Sequence, residues 1–176
     1  YADKVDSAIF PYSQGGPLMH QIAAKAVSFR EAQRDSFDEY ARQIKKNTQA
    51  LAESLQENGL RLVSGGTDNH MVLVDLREED TTGKEVENAL EESGIVANKN
   101  TVPYDPESPR VTSGVRLGTP ALTTRGMEEQ ELREIGHMIS RIVRNPESEE
   151  VREEVESRVS ELLDEFPLYE GSEVEY

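Results

Sequence analysis

The chain has 176 residues, with thirty-five acidic against nineteen basic side chains, a net charge of −16 and no cysteine. A field of that sign repels phosphate backbones and no basic, aromatic-interleaved stripe offsets it, which argues against nucleic acid as a partner. The missing cysteines remove disulfides, thiolate metal sites and cysteine nucleophiles together, and no apolar run is long enough to cross a bilayer.

The chain opens on Tyr1-Ala2-Asp3-Lys4-Val5 with no initiator methionine and no basic leader ahead of an apolar stretch. That opening predicts a piece of a longer polypeptide, cytoplasmic and without a targeting signal. Ala8-Ile9-Phe10 leads into the turn-rich Pro11-Tyr12-Ser13-Gln14-Gly15-Gly16-Pro17, with Pro17 suited to the first position of a helix. From Leu18 to Glu57 there is neither Gly nor Pro, and Ile22, Ala26, Phe29 and Ala32 recur at helical spacing. One long helix is expected there, bent near Gln33–Ser36 and stopped at Asn58-Gly59.

Leu60–Val63 and Met71–Leu76, on either side of Gly65-Gly66, read as two short strands. Thr82 with Glu85 three residues on forms a capping box for a helix that runs to Ser93-Gly94. Ile95-Val96-Ala97 is expected as another strand, and Asn98 to Ser113, with three prolines and no periodicity, as a loop that something must hold. Gly114–Gly118 returns as a strand, and Glu128–Arg144 and Glu147–Glu165 are amphipathic helices parted by Asn145-Pro146. The order predicts an α+β layer, with mixed or antiparallel strands and helices on one face. The expected division is 1–17, a connecting helix over 18–58, an α+β domain over 59–170 and a tail over 171–176. A helix that long reads best as a connector to a further domain upstream.

Three places are candidates for chemistry. Gly15 and Gly16 stand before a helix N-terminus, where backbone N–H groups can approach an anion such as a phosphate; a plain tight turn is the commoner meaning of the pattern. Arg116 lies between Gly114 and Gly118, whose small size is expected to leave room for a carboxylate beside its guanidinium fork, the alternative being a surface ion pair. Asn98-Lys99-Asn100 offers amides to a polar heterocycle, or forms an ordinary turn. His20, His70 and His137 have no ligand-like spacing, so no metal site is expected, and Ser13, Ser64 and Ser113 have no identifiable base.

The order and wording of these segments resemble one family. Phe10-Pro11, Gln14-Gly15-Gly16-Pro17-Leu18-Met19-His20, Lys25-Ala26-Val27, Ser64-Gly65-Gly66-Thr67-Asp68-Asn69-His70, Thr82-Gly83-Lys84, Asn98-Lys99-Asn100, Asp105-Pro106, Ser108-Pro109 and Thr112-Ser113-Gly114-Val115-Arg116-Leu117-Gly118-Thr119-Pro120-Ala121 look like serine hydroxymethyltransferase. The resemblance implies the C-terminal small domain of a fold-type I enzyme dependent on pyridoxal 5'-phosphate, moving a one-carbon unit between serine and tetrahydrofolate to give glycine and 5,10-methylenetetrahydrofolate.

It implies a homodimer in which Gly15 and Gly16 contact the cofactor phosphate of the neighbouring subunit, Arg116 grips the amino-acid carboxylate and Asn100 contacts the pterin. Gln14, Thr112 and Ser113 would stand behind these. No catalytic residue lies in this chain on that reading: the Schiff-base lysine belongs upstream, Lys84 and Lys99 are no substitutes, and the piece alone is expected to be inactive. Tyr12-Ser13 and Arg110 depart from the small residue and the aromatic usual in the family. A non-catalytic binding module derived from the same domain is the alternative. Thirteen arginines against six lysines, on so acidic a chain, also resemble proteins from halophilic archaea.

Overall fold

The computed structural model describes residues 1–168, so the expected tail over 171–176 lies outside the described residues. The chain divides into two units, Tyr1–Glu39 and Tyr40–Tyr176. In the first, α1 (Ala2–Ser7) runs into a wider helical turn over Ala8–Ser13, where Phe10 is extended as a residue before proline prefers. α2 (Met19–Glu31) follows, and α3 (Asp35–Glu57) begins in this unit.

The single helix expected from Leu18 to Glu57 is therefore two, parted at Ala32–Arg34. The break overlaps the polar stretch where a bend is expected. Arg30 in the last turn of α2 and Asp35 and Asp38 in the first turn of α3 suit the two helix dipoles, with Glu31 and Arg34 set against them. Pro17 is not the first helical residue either. Leu18 takes the cap position, its carbonyl accepting from the N–H groups of Gln21 and Ile22 at 3.0 and 3.1 Å. No described residue from Tyr1 to Glu39 is buried, and Val5, Phe10, Met19, Val27 and Phe29 are all more than half exposed.

From Tyr40 the chain builds a core. α3 buries Thr48, Leu51 and Leu55 at helical spacing and ends at Gly59, whose φ of +83° suits glycine. Leu60 N–H closes that end by donating to Leu55 O at 3.0 Å. β1 (Arg61–Leu62) is shorter than the expected Leu60–Val63, because Val63–Gly65 turns sharply with Ser64 at φ +63°. β2 (Met71–Asp75), α4 (Gly83–Glu92) with the Thr82–Glu85 capping box, β3 (Asn98–Lys99) and β4 (Gly114–Gly118) follow.

Ile95–Ala97 is not a strand. Ile95 N–H is spent closing α4 on Leu90 O at 2.8 Å, Val96 is 89% exposed, and pairing with β4 starts only at Asn98. A short helix not legible in the sequence, α5 (Pro120–Thr124), opens on Pro120. The last two helices are α6 (Glu129–Arg144), with its own capping box from Glu128 to Glu131, and α7 (Glu149–Glu165), capped by Ser148.

The sheet is antiparallel throughout, in the order β1-β2-β4-β3. Register decides its faces: Val72 pairs with Leu117 and Val74 with Val115, and these four are buried in one core with Leu51, Leu55, Val86, Leu90, Leu132, Ile139 and Ile142. Leu73 and Arg116 pair on the opposite, open face. Beneath the helices, Asn47 Nδ2 donates to Thr123 Oγ1 and Met127 O, both at 2.9 Å, and Thr48 and Thr119 share a hydrogen bond of 2.6 Å. Among the described residues no buried side-chain nitrogen or oxygen lacks a partner.

Candidate functional site

The stretch from Asn98 to Gly118 brings together four of the residues singled out from the sequence. Asn98 lies opposite Arg116 across the β3–β4 ladder, and Asn100 N–H extends that ladder by one step, donating to Gly114 O at 2.8 Å. Side chains alternate along strands, so Asn98, Asn100 and Arg116 share the open side, with Asn100 and Arg116 roughly 7 Å apart along the strand direction. Asn100 turns its own amide onto Thr101 O at 2.8 Å.

The Arg116 side chain is exposed and, among the described residues, has no hydrogen bond or ion pair. Arg30, Arg34, Arg42 and Arg110 are likewise without a carboxylate among the described residues, but of these arginines Arg116 alone lies on a strand of the sheet. Arg61, Arg77, Arg133, Arg141, Arg152 and Arg158 each hold a carboxylate. A guanidinium on a sheet face with no acid against it retains its whole donor fork for an external carboxylate.

The glycines beside it act differently from the expectation. Gly114 leaves no room for a ligand: a Cβ there would meet Val102 Cγ1 at 2.7 Å, Asn100 O at 2.8 Å and Val74 O at 2.9 Å. Its smallness lets the strand carrying Asn100 lie against β4. Gly118 is less confined, with His70 O the nearest atom at 3.4 Å.

What holds the loop before β4 is Asp105. One carboxylate oxygen accepts from the N–H groups of Val102 and Ser113 at 3.0 and 2.9 Å, the other from Glu107 N–H at 2.9 Å and the Ser113 hydroxyl at 2.7 Å. Desolvation pushes the Asp105 carboxyl up, but the hydrogen bonds from Ser113, Glu107 and Val102 outweigh it and hold it at about 2. The start of α4 grips the same loop, since Gly83 and Lys84, whose N–H groups have no partner inside the helix, donate to Thr112 O and Val111 O at 2.9 and 3.0 Å. Gly83 is needed for that approach, as a Cβ would lie 2.1 Å from Thr112 Oγ1. Thr112, buried at φ +61°, bonds Gly114 O through its hydroxyl at 3.2 Å.

Sequence alone does not reveal the role of Asp105. Its turn onto Glu107 N–H is the local habit of Asp, but its bonds to Ser113 cross eight residues that no periodicity links.

Gln14, Gly15 and Gly16 belong to the Tyr1–Glu39 unit and are exposed. Gln14 N–H donates to Ile9 O at 2.7 Å. Neither glycine adopts positive φ, and a Cβ at either would meet nothing within 4 Å, so their backbone amides are open to a group from outside the chain.

The remaining titratable groups have other occupations. Lys99 donates through its backbone to Glu87 Oε1 at 2.9 Å and forms an ion pair with the same carboxylate through Nζ, so its side chain already has a partner. Lys84 is exposed, and His137 bonds Asn58 Oδ1 at 2.9 Å. Among the described residues no three His, Asp or Glu side chains are grouped to hold a metal, and no helix is long and apolar enough to cross a membrane.

Comparison with known proteins agrees with the resemblance read from the residues. The family model described as serine hydroxymethyltransferase matches residues 1–139. Over 172 residues the chain is 56% identical to a serine hydroxymethyltransferase of Haloarcula marismortui, and over 173 residues 53% identical to one of Natronomonas pharaonis. Both relatives come from halophilic archaea, in keeping with the acidic, lysine-poor composition. Each alignment covers 97% of this chain and 41% of the relative, so the chain spans about two-fifths of the length of the curated relatives it matches. With the family model matched from Tyr1 to within helix α6, the chain belongs to the serine hydroxymethyltransferase family.

Proposed function

We propose that this chain supplies the amino-acid and pterin contacts of a serine hydroxymethyltransferase, a transferase that exchanges a one-carbon unit between serine and tetrahydrofolate to give glycine and 5,10-methylenetetrahydrofolate. On this reading residues 59–170 are the small C-terminal domain of a fold-type I enzyme, residues 18–58 connect it to a larger domain ending at 1–17, and the lysine that carries the cofactor lies outside this chain. The enzyme is a cytoplasmic homodimer. Taken by itself, the Tyr1–Glu39 unit has no core and exposes Val5, Phe10, Met19, Val27 and Phe29, which supports a role for this unit in packing against other protein surface.

The observation that carries the reading is Arg116, a guanidinium without an acidic partner on the open sheet face of a chain with net charge −16. Its planar fork binds the substrate carboxylate through two parallel hydrogen bonds and so fixes the rotation of the amino acid about its Cα. That rotation selects which bond at Cα is aligned to react. Asn100, on the same side of the sheet, offers its side-chain carbonyl to the N–H groups of the pterin, which holds the acceptor of the one-carbon unit beside the amino acid.

The open amides of Gly15 and Gly16, ahead of α2, fit the phosphate of pyridoxal 5'-phosphate bound by the neighbouring subunit. When bound, the cofactor supplies the electron sink that stabilises negative charge at Cα. Glu87 keeps Lys99 out of that chemistry.

The test is conversion of serine to glycine by the native enzyme that carries this chain. Glycine formation is expected to require tetrahydrofolate in equimolar amount, and serine turnover indifferent to tetrahydrofolate would overturn the assignment.

A further inference from the structure

We infer that Asp105 is a positioning residue that holds the amino-acid and pterin sites in one register, an inference that rests on the roles proposed above for Arg116 and Asn100. The two binding side chains stand at the two roots of one loop. Asn100 begins it and Arg116 follows three residues after its end at Ser113, with Pro103, Pro106 and Pro109 between and no regular secondary structure. The β3–β4 ladder joins the two roots and the start of α4 holds the returning limb at Val111 and Thr112, but the outgoing limb beyond Asn100 needs a tie of its own to the returning one.

Asp105 is that tie. A single oxygen accepts from Val102 N–H on the outgoing limb and from Ser113 N–H on the returning one, at 3.0 and 2.9 Å. The other takes the Ser113 hydroxyl at 2.7 Å and Glu107 N–H at 2.9 Å. Val102, fixed in this way, packs 2.7 Å from the position of a Cβ on Gly114, the residue whose carbonyl receives Asn100 N–H. The chain of contact thus runs from Asp105 to both strands at the Asn100–Gly114 end of the β3–β4 ladder.

The chemistry requires a carboxylate. Four donors converge on two oxygens, and only an ionised acid is an acceptor at both. An amide in its place would turn an NH₂ group against two of those donors. The four bonds also favour the ionised form, so the acceptor set stays intact near neutral pH. Asp105 itself touches neither proposed ligand-binding side chain.

The experiment is steady-state kinetics of the native holoenzyme and its Asp105→Asn variant. Loss of a charge-assisted network of this kind corresponds to about a tenfold effect, expected here on the KM of serine and the KM of tetrahydrofolate together, with cofactor content unchanged. A double-mutant cycle separates positioning from general weakening of the fold. Once Arg116 is Ala, Asp105→Asn should add little to the serine KM yet still raise the tetrahydrofolate KM.

Unchanged KM values in a folded Asp105→Asn enzyme, or strictly additive serine effects, would overturn the inference while leaving the proposed function intact. A wild-type enzyme with no tetrahydrofolate-dependent glycine formation would remove both. Should Asp105→Asn fail to fold, Ser113→Ala deletes only the hydroxyl bond; about a threefold rise in both KM values is then expected, and no change in either contradicts the role.

Discussion

Replacing Arg116 by Ala separates a binding role from a structural one more sharply than most substitutions in this chain. The side chain is exposed on β4, and among the described residues nothing is bonded to it, so truncation leaves no buried donor or acceptor unpaired. Stability of the Tyr40–Tyr176 unit in urea should therefore change by less than about 0.5 kcal/mol. The binding side is another matter. A bidentate guanidinium–carboxylate pair consists of two charge-assisted hydrogen bonds of roughly 1.5–3 kcal/mol each, so about 3–6 kcal/mol is lost when both go.

In kinetic terms that is a fall of about 10²- to 10⁴-fold in kcat/KM for serine, while retention of the cofactor is unaffected. Arg116→Lys keeps the charge and loses the fork, and should fall between the two. The assay is serine saturation at fixed, saturating tetrahydrofolate, with urea unfolding run in parallel on the same substitutions. A serine kcat/KM within threefold of wild type would refute the argument, as would a loss of binding that merely tracks a loss of stability.

Two further outcomes follow from the same geometry. Gly114→Ala sets a Cβ against Asn100 O at 2.8 Å and Val74 O at 2.9 Å, backbone atoms that cannot swing aside, whereas Gly118→Ala meets nothing closer than 3.4 Å. Urea midpoints should show the first variant destabilised by about 1–3 kcal/mol and the second within about 0.5 kcal/mol of wild type, and equal effects would contradict the packing account. On acidification, Asp105 has its folded pKa, about 2, below its ordinary 3.8, so its stabilisation is complete above 3.8 and is lost as pH falls from there through about 2. The pH dependence of unfolding free energy across that window should be about one proton shallower in Asp105→Asn than in wild type, and identical slopes would show that the carboxylate is not held as described.

Much of the fold is local and so can be read from the chain. Thr82 with Glu85, the alternation in Met71–Asp75 and Gly114–Gly118, and the stop at Asn58-Gly59 are each decided by residues within a few positions of one another. The differences arise at helix ends, where backbone groups choose between partners. Ile95–Ala97 has the composition of a strand, but the closure of α4 takes Ile95 N–H first. The gap between α2 and α3 contains no Gly or Pro and overlaps the polar Gln33–Ser36 stretch, which signals a bend but not a full break.

The site divides in the same way. Arg116 and Asn100 stand out by residue type and by wording shared with a family, yet whether an arginine is free or paired depends on which of thirty-five acids lie near it. Gly114 is legible as a required small residue, while the reason is not: the space belongs to Val102, twelve positions away. Asp105 announces a turn and nothing more, because its partner Ser113 is brought to it by the folding of α4 against the loop.

The most direct test of the account is hydride reduction of the native enzyme with its cofactor bound, followed by intact mass and peptide mapping. Reduction fixes pyridoxal 5'-phosphate to the lysine that carries it, and the account predicts a protein well above the 19.7 kDa of this chain, with the adduct on a lysine outside its sequence. An adduct on Lys99, Lys84 or any other lysine of this chain, or a protein that retains no cofactor, would contradict it.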